Sequence, residues 1–412
     1  MAFVLSIRQR RSEDIASRLR SFRPATDTVE ATGISVARHT GEFWTSRQRQ
    51  ASSLHEVSYR ACFKPQLPSF FINLLTREGD TVFDPFSGRG TTALEAAFAG
   101  RRVIVNDINP LSALLARPRL FVPDLEALRQ RLYALRFRSG READIDLSMF
   151  YHPRTESDLV GLRSYLDRRT AAGKADSIDD WIRMIATNRL TGHSAGFFSV
   201  YTLPPNQAMT AERQRKVNRR LRQRPPERDV REIILRKSAQ LLRSVTPDQM
   251  RILRDAGRNA RFLTGDARHL RGVRSRSVAL TVTSPPFLNM VDYASDNWLR
   301  CWFNNIDADQ VASQITVTGS LPAWERAMDG VFSELHRITR PGGWVAFEVG
   351  EVRRGRLRLD ESVVPIGVRN GFVCKAIIIN RQQFTKTSNI WGIDNNERGT
   401  NTNRIVLLQN AD

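Results

Sequence analysis

The sequence predicts an α/β fold, an open and mostly parallel sheet interrupted by a large helical insertion. Three observations predict it. Residues 67–116 read as helix, strand, turn, helix and strand with short connections, the alternation that a parallel sheet requires. Strand patterns vanish from about 119 to 258, where helical periodicity dominates, and return at Ala260–Thr264 and Val278–Thr283. Two final apolar runs, Phe372–Arg381 and Arg404–Gln409, flank a long polar loop and read as an antiparallel pair.

Taken in order, residues 1–44 are basic and mixed, with one helix at Ser12–Phe22, and are expected to form an arm or docked tail. Residues 45–118 hold the first part of the sheet. Leu67–Thr76 is a helix, Thr81–Phe83 a short strand, Thr91–Ala99 a helix stopped by Gly100, and Val103–Val105 a second strand. Residues 119–258 form the insertion, about 140 residues long, too long for a simple connection and so expected to have a function of its own. Its helices are expected at Leu125–Phe137, Glu156–Arg169, Trp181–Asn188 behind a capping box at Ser177, Ala211–Arg224 and Arg228–Ser244. Residues 259–412 complete the sheet, with a helix at Pro322–Ile338, a strand at Trp344–Val349 and a helix near Pro365–Asn370.

Composition narrows the function. The 412 residues carry 63 Lys+Arg against 43 Asp+Glu, a net charge of +20, and 41% are hydrophobic. That apolar content supports a sizeable core and excludes a wholly disordered chain. No apolar run reaches the ~18 residues of a membrane span, and the start is too short in apolar residues for a secretory signal. Cys62, Cys301 and Cys374 are isolated, which excludes a disulfide framework and any paired-cysteine metal site and fits a reducing, cytoplasmic compartment. Six of the cations are lysine and 57 arginine. A GC-rich genome contributes to that bias, but arginine also grips phosphate bidentately, and the excess charge predicts a nucleic-acid partner.

The first strand runs into Asp84-Pro85-Phe86-Ser87-Gly88-Arg89-Gly90-Thr91-Thr92. A strand, a glycine-rich turn and a helix start put free backbone N–H groups and a positive dipole end beside a ligand. The spacing is neither the dinucleotide nor the P-loop pattern. The second strand ends in Asp107-Ile108, about 20 residues on, where a carboxylate accepts from ribose hydroxyls. A third strand ends in Gly265-Asp266-Ala267, where Asp266 can accept from an exocyclic amine. Each Asp alone could be a helix cap; three such strand ends on one sheet edge predict a nucleoside ligand.

The fourth strand, Val278–Thr283, leads into Ser284-Pro285-Pro286-Phe287. With this motif the chain resembles the S-adenosylmethionine-dependent DNA amino-methyltransferases, and most of all those methylating cytosine N4. The family pattern, Asp-Pro-Phe-x-Gly-x-Gly-Thr plus Ser/Asp/Asn-Pro-Pro-aromatic, stands as Asp84–Thr91 and Ser284–Phe287. Tyr59–Pro68 resembles the family's other cofactor segment, with Phe63 at the cofactor. The resemblance covers about 45–120 and 258–350. It implies a Rossmann-like class I methyltransferase sheet with one antiparallel strand, and S-adenosyl-L-methionine bound by Phe63, Asp84, Pro85, Phe86, Gly88, Gly90, Thr91, Asp107, Ile108, Asp266 and Ala267. It also implies double-stranded DNA as substrate, a bacterial, archaeal or phage source, and leaves room for a cognate restriction enzyme. Serine first in the tetrapeptide leans towards cytosine N4, with adenine N6, RNA methylation and a non-catalytic nucleic-acid-binding protein as alternatives. The motif order places the target-recognition region between the two motifs.

The chemistry can be argued from the residues. An exocyclic amine is a poor nucleophile because its lone pair is delocalised into the ring. Ser284 Oγ and the Pro285 carbonyl can localise that lone pair by accepting from the amine, Pro285 and Pro286 keep the turn rigid, and Phe287 offers a ring for an extruded base. No Pro-Cys pair is present for C5 chemistry, and no His/Cys/Glu zinc cluster, so neither a thiol nucleophile nor a metal is expected.

DNA contact is expected on the insertion. Arg213, Arg215, Lys216, Arg219, Arg220, Arg222 and Arg224 make its most basic helix, suited to tracking phosphates. It follows the aromatic, turn-rich stretch 193–207, where Asn206 and Gln207 could read a base and His193 is structural. Asp292–Trp298 is expected near the base pocket, Trp298 and Trp302 in the core, and Trp391 or Asn395 of the C-terminal loop near the target.

Overall fold

The computed structural model describes residues 15–44, 51–60, 62–137, 140–202, 209–286, 293–315, 320–349, 351–352, 357–381 and 402–411. At its centre is a nine-stranded sheet. The strands are Ala25–Ala31 (β1), Ile34–Gly41 (β2), Thr81–Asp84 (β3), Arg102–Asp107 (β4), Arg261–Thr264 (β5), Val278–Thr283 (β6) and Thr339–Val349 (β7), then Phe372–Arg381 (β10) and Thr402–Asn410 (β11). Glu351–Val352 (β8) and Leu357–Arg358 (β9) form a separate two-stranded ribbon. Across the sheet the order is β1-β2-β10-β11-β7-β6-β3-β4-β5. β5, β4, β3, β6 and β7 are parallel, and β11 runs antiparallel between β7 and β10, as the sequence predicts. β6 sits centrally because all six of its residues, four of them β-branched, are buried, the signature of a strand covered on both faces.

Helices cover both faces. The first part holds Ile15–Leu19 (α1), Gln66–Leu75 (α2), Thr91–Phe98 (α3) and Leu111–Ala116 (α4). The insertion holds Leu125–Ala134 (α5), Pro153–Ala171 (α6), Ser177–Arg189 (α7), Ala211–Leu221 (α8), Val230–Leu242 (α9) and Pro247–Asn259 (α10). The second part holds Tyr293–Phe303 (α11), Ala308–Gln314 (α12), Leu321–Ile338 (α13) and Leu359–Arg369 (α14). Alternation along the strands separates two cores. Val82, Val103, Leu280 and Ile378 face one, and Phe83, Ile104, Val345 and Ile377 face the other. The second core is sealed by α13 and α14. The first contains α2–α4 and runs without a break into Trp181, Ile182 and Ile234 of the insertion, which thus shares a core with the sheet.

Two expectations need correction. Residues 25–41 are not an arm: they form a hairpin whose β2 pairs parallel with β10, Arg38 opposite Ile377, making β1 a second antiparallel strand. The hairpin turns through Thr32 and Gly33, both at positive φ (53° and 80°), a geometry matched to strand twist. The capping box begins one residue earlier than expected, with the Asp176 side chain capping α7 and Asp179 reaching back. No described helix is long and apolar enough to cross a membrane.

Candidate active site

The carboxyl ends of β3, β4, β5 and β6 converge on one cleft of about 970 Å³, counting solvent at its mouth. Its wall brings together Phe63 from the Tyr59–Pro68 segment, Pro85, Phe86, Gly88 and Thr91 from the glycine-rich turn, Asp107 and Ile108 at the end of β4, Asp266 and Ala267 after β5, and Ser284 and Pro286 after β6. This is the crevice beyond the strand ends where open α/β sheets bind ligands.

Hydrogen bonds between strand ends hold the cleft. The Gly88 N–H donates to Asp107 Oδ2 at 2.7 Å and the Asn109 N–H to Oδ1 at 2.9 Å, so the glycine turn is locked to β4. The Asn106 Nδ2 donates to the carbonyls of Pro85 (3.3 Å) and Gly265 (2.8 Å), tying β3, β4 and β5 together. Gly90 lies behind the wall at φ 76°, where a Cβ would meet the Ala116 Cβ at 2.4 Å, so only glycine lets α3 start against α4.

Asp84 also lies behind the wall, 1% exposed. Its Oδ1 accepts from Thr283 Oγ at 2.6 Å and from the Phe86 N–H at 3.1 Å, joining the glycine turn to the strand that carries the tetrapeptide. Direct contact with a ligand, as the sequence suggested, is therefore not its place; it is a buried brace. Burial pushes its carboxyl up to about 6, against the opposing hydrogen bonds, and burial does the same to Asp107, also to about 6. Asp266 sits lower than usual: burial raises it, but hydrogen bonds from Arg268 outweigh that, Nε at 2.9–3.0 Å and Nη2 at 2.5 Å.

The tetrapeptide presents Ser284 and Pro286 to the cleft while Pro285 is buried. Phe287 lies outside the described residues, as do Asn206, Gln207, Trp391 and Asn395. Sequence reasoning missed Glu348, near the end of β7. It is buried, accepts a hydrogen bond from the Ser284 hydroxyl and another from Asn403 Nδ2 at 2.7 Å, and burial raises its carboxyl despite both. With its proton turned to Glu348, Ser284 Oγ keeps its lone pairs for a donor arriving in the cleft.

Arg213, Arg215, Lys216, Arg219, Arg220, Arg222 and Arg224 lie on and just beyond α8, which Arg222 caps in the left-handed conformation (φ 49°). Among the described residues Arg215 pairs with Asp146 and Lys216 with Glu212, both at 2.6 Å. The helix is anchored through buried Gln214, which donates to the Tyr201 carbonyl at 3.0 Å. Trp298 of α11 donates to the Met209 carbonyl at 3.3 Å and packs on Phe150, so the basic helix adjoins the helix that follows the tetrapeptide. Trp298 and the partly buried Trp302 pack against the core, as expected, and His193 is exposed. Among the described residues no group of His, Cys, Asp or Glu is placed to hold a metal ion.

Comparisons with known proteins match part of the chain. Residues 24–116 match a family model described as DNA methylase. The type II methyltransferase M.MjaII of Methanocaldococcus jannaschii is 32% identical over 88 residues, 21% of this chain and 17% of that protein. The orphan methyltransferase M.BamHII of Bacillus amyloliquefaciens is 38% identical over 73 residues, 17% of this chain and 28% of that protein. The matches thus span less than a third of either relative. Among solved structures, TrmN from Thermus thermophilus aligns over 85% of this chain and 50% of its own with 14% identity and a TM-score of 0.32. A methyltransferase from Methanosarcina mazei aligns over 82% and 96% with 10% identity and a TM-score of 0.31. The resemblance to the DNA amino-methyltransferase family is borne out over residues 24–116.

Proposed function

We propose that this chain, with its DNA methylase segment at 24–116, transfers a methyl group from S-adenosylmethionine to the exocyclic N4 of a cytosine turned out of double-stranded DNA. The observation that carries the proposal is the convergence of Asp107, Asp266 and Ser284 on one cleft. The donor set suits this cofactor: Asp107 for ribose hydroxyls, Asp266 for the adenine amine, and the N-terminus of α3 beside the turn. When bound there, S-adenosylmethionine supplies an electrophilic methyl group.

The chain's own residues do the rest. Ser284 Oγ and the Pro285 carbonyl accept from the two amine hydrogens, which localises the nitrogen lone pair and stabilises the positive charge that develops on it. Glu348, one hydrogen bond behind Ser284, can take up the proton that leaves through the hydroxyl. Phe287 stacks the extruded base. The arginines of α8 follow the phosphates. Incubation with labelled S-adenosylmethionine and DNA or RNA, followed by nucleoside mass spectrometry, tests this. N4-methylcytosine in DNA is the expected product. N6-methyladenine would overturn the cytosine assignment while leaving the chemistry, RNA products would move the substrate, and 5-methylcytosine would overturn the mechanism.

A further inference from the structure

Helix α13 places Trp324, Ala327, Met328 and Val331 on one stripe, at i, i+3, i+4 and i+7. The last three line the cleft. Trp324 instead reaches the tetrapeptide: its ring is 1% exposed, and its Nε1–H donates to the Pro286 carbonyl at 3.0 Å. Prolines at 285 and 286 fix two φ angles of the turn, which leaves ψ as its soft coordinate. A hydrogen bond to the Pro286 carbonyl fixes the peptide plane that follows Pro286. It also occupies the Pro286 carbonyl, which is then not free to accept from an amine in the cleft.

We propose that Trp324 is a positioning residue for methyl transfer, whose indole N–H sets the catalytic turn and whose helix ties that setting to the cofactor wall. This rests on reading the cleft as a methyl-transfer site. No base-contacting role is needed, since the indole is buried beneath the turn.

Two variants test it. Trp324→Phe keeps an aromatic ring and removes the donor. Site-specific replacement of Trp324 by benzothienylalanine keeps the bicyclic shape, also without the N–H, and serves if the phenylalanine variant does not fold. Both should lower kcat about tenfold, the scale of one missing hydrogen bond, with the KM for DNA and the calorimetric Kd for S-adenosylmethionine within about twofold of the parent. A parent-like kcat in the benzothienylalanine protein would overturn the proposal. So would a kcat loss that appears only together with weakened cofactor binding and a lowered melting temperature, because that is the pattern of a packing prop. A parent chain that methylates no nucleic acid would instead overturn the underlying reading, and the positioning role with it.

Discussion

Replacing Asp84 by Asn isolates the electrostatic cost of a buried brace. The Asp84 carboxyl is raised from 3.8 to about 6, chiefly by burial, and its Oδ2 has no hydrogen-bond partner among the described residues. At 1.36 kcal/mol per unit, the shift corresponds to roughly 3 kcal/mol. The sign follows from a folded value above the unfolded one. Below pH 3.8 both states hold the proton and the fold bears no penalty; as pH rises through 6 the folded carboxyl is forced to ionise and stability is lost. Asn cannot ionise. Its amide N–H brings its own cost, an unpaired buried donor worth about 1–3 kcal/mol, but that cost does not vary with pH. The readout is therefore the difference between two pH values. Urea unfolding of the parent and Asp84→Asn should show the variant gaining about 2–3 kcal/mol relative to the parent between pH 4 and pH 8. A stability difference that is the same at both pH values would refute the reasoning and make Asp84 an ordinary hydrogen-bonding residue.

Three further outcomes are expected. Asp107→Ala should weaken S-adenosylmethionine binding more than tenfold in calorimetry, as loss of a charged acceptor worth about 1.5–3 kcal/mol implies; because burial holds Asp107 at about 6 and its ionised form is the better acceptor, parent affinity should fall as pH drops through that value. Replacing Arg213, Arg219 and Arg220 by Ala should flatten the slope of log K for DNA against log salt by about 0.9 for each phosphate no longer neutralised, with cofactor binding unchanged, and an unaltered slope would make α8 a merely solvated face. Ser284→Ala should slow turnover about 10²–10³-fold without changing cofactor affinity, and Glu348→Gln added to it should slow turnover little further in single-turnover assays, since both act through one hydroxyl.

The parts legible in the sequence are those where local chemistry and fold agree. The bounds of Val278–Thr283 and Phe372–Arg381 match their strands because a bounded apolar, β-branched run has few other uses. The Asp84–Thr91 turn is readable because its glycines serve backbone geometry, and both Gly88 and Gly90 adopt positive φ. The place of Asp84 itself is not: its side chain lies behind the cleft wall, bonded to Thr283, a neighbour that only the β3–β6 pairing supplies. The β1–β2 hairpin escapes sequence reading because its edge strand, Ala25–Ala31, is mostly exposed and polar, although Thr32-Gly33 is a turn signal. Helix α10 carries its own signal in the Thr246-Pro247-Asp248-Gln249 capping box. Glu348 carries none: in Phe347-Glu348-Val349 it looks like one polar residue in a buried strand, and its relation to Ser284 exists only once β6 and β7 lie parallel.

The position of β11 bears on how the polypeptide is made. It comes last in sequence among the described strands, yet it stands between β7 and β10 and supplies their sheet hydrogen bonds. Until residues 402–410 leave the ribosome, β1, β2 and β10 have no sheet bonds to the remainder, and Ile377, Ile378 and Ile379 border an open edge. Both sequence motifs emerge long before that edge can close. A nascent or prematurely terminated product therefore presents unpaired apolar strands, the kind of surface that chaperones and proteases engage. Emergence of this one strand thus becomes the event that closes the sheet.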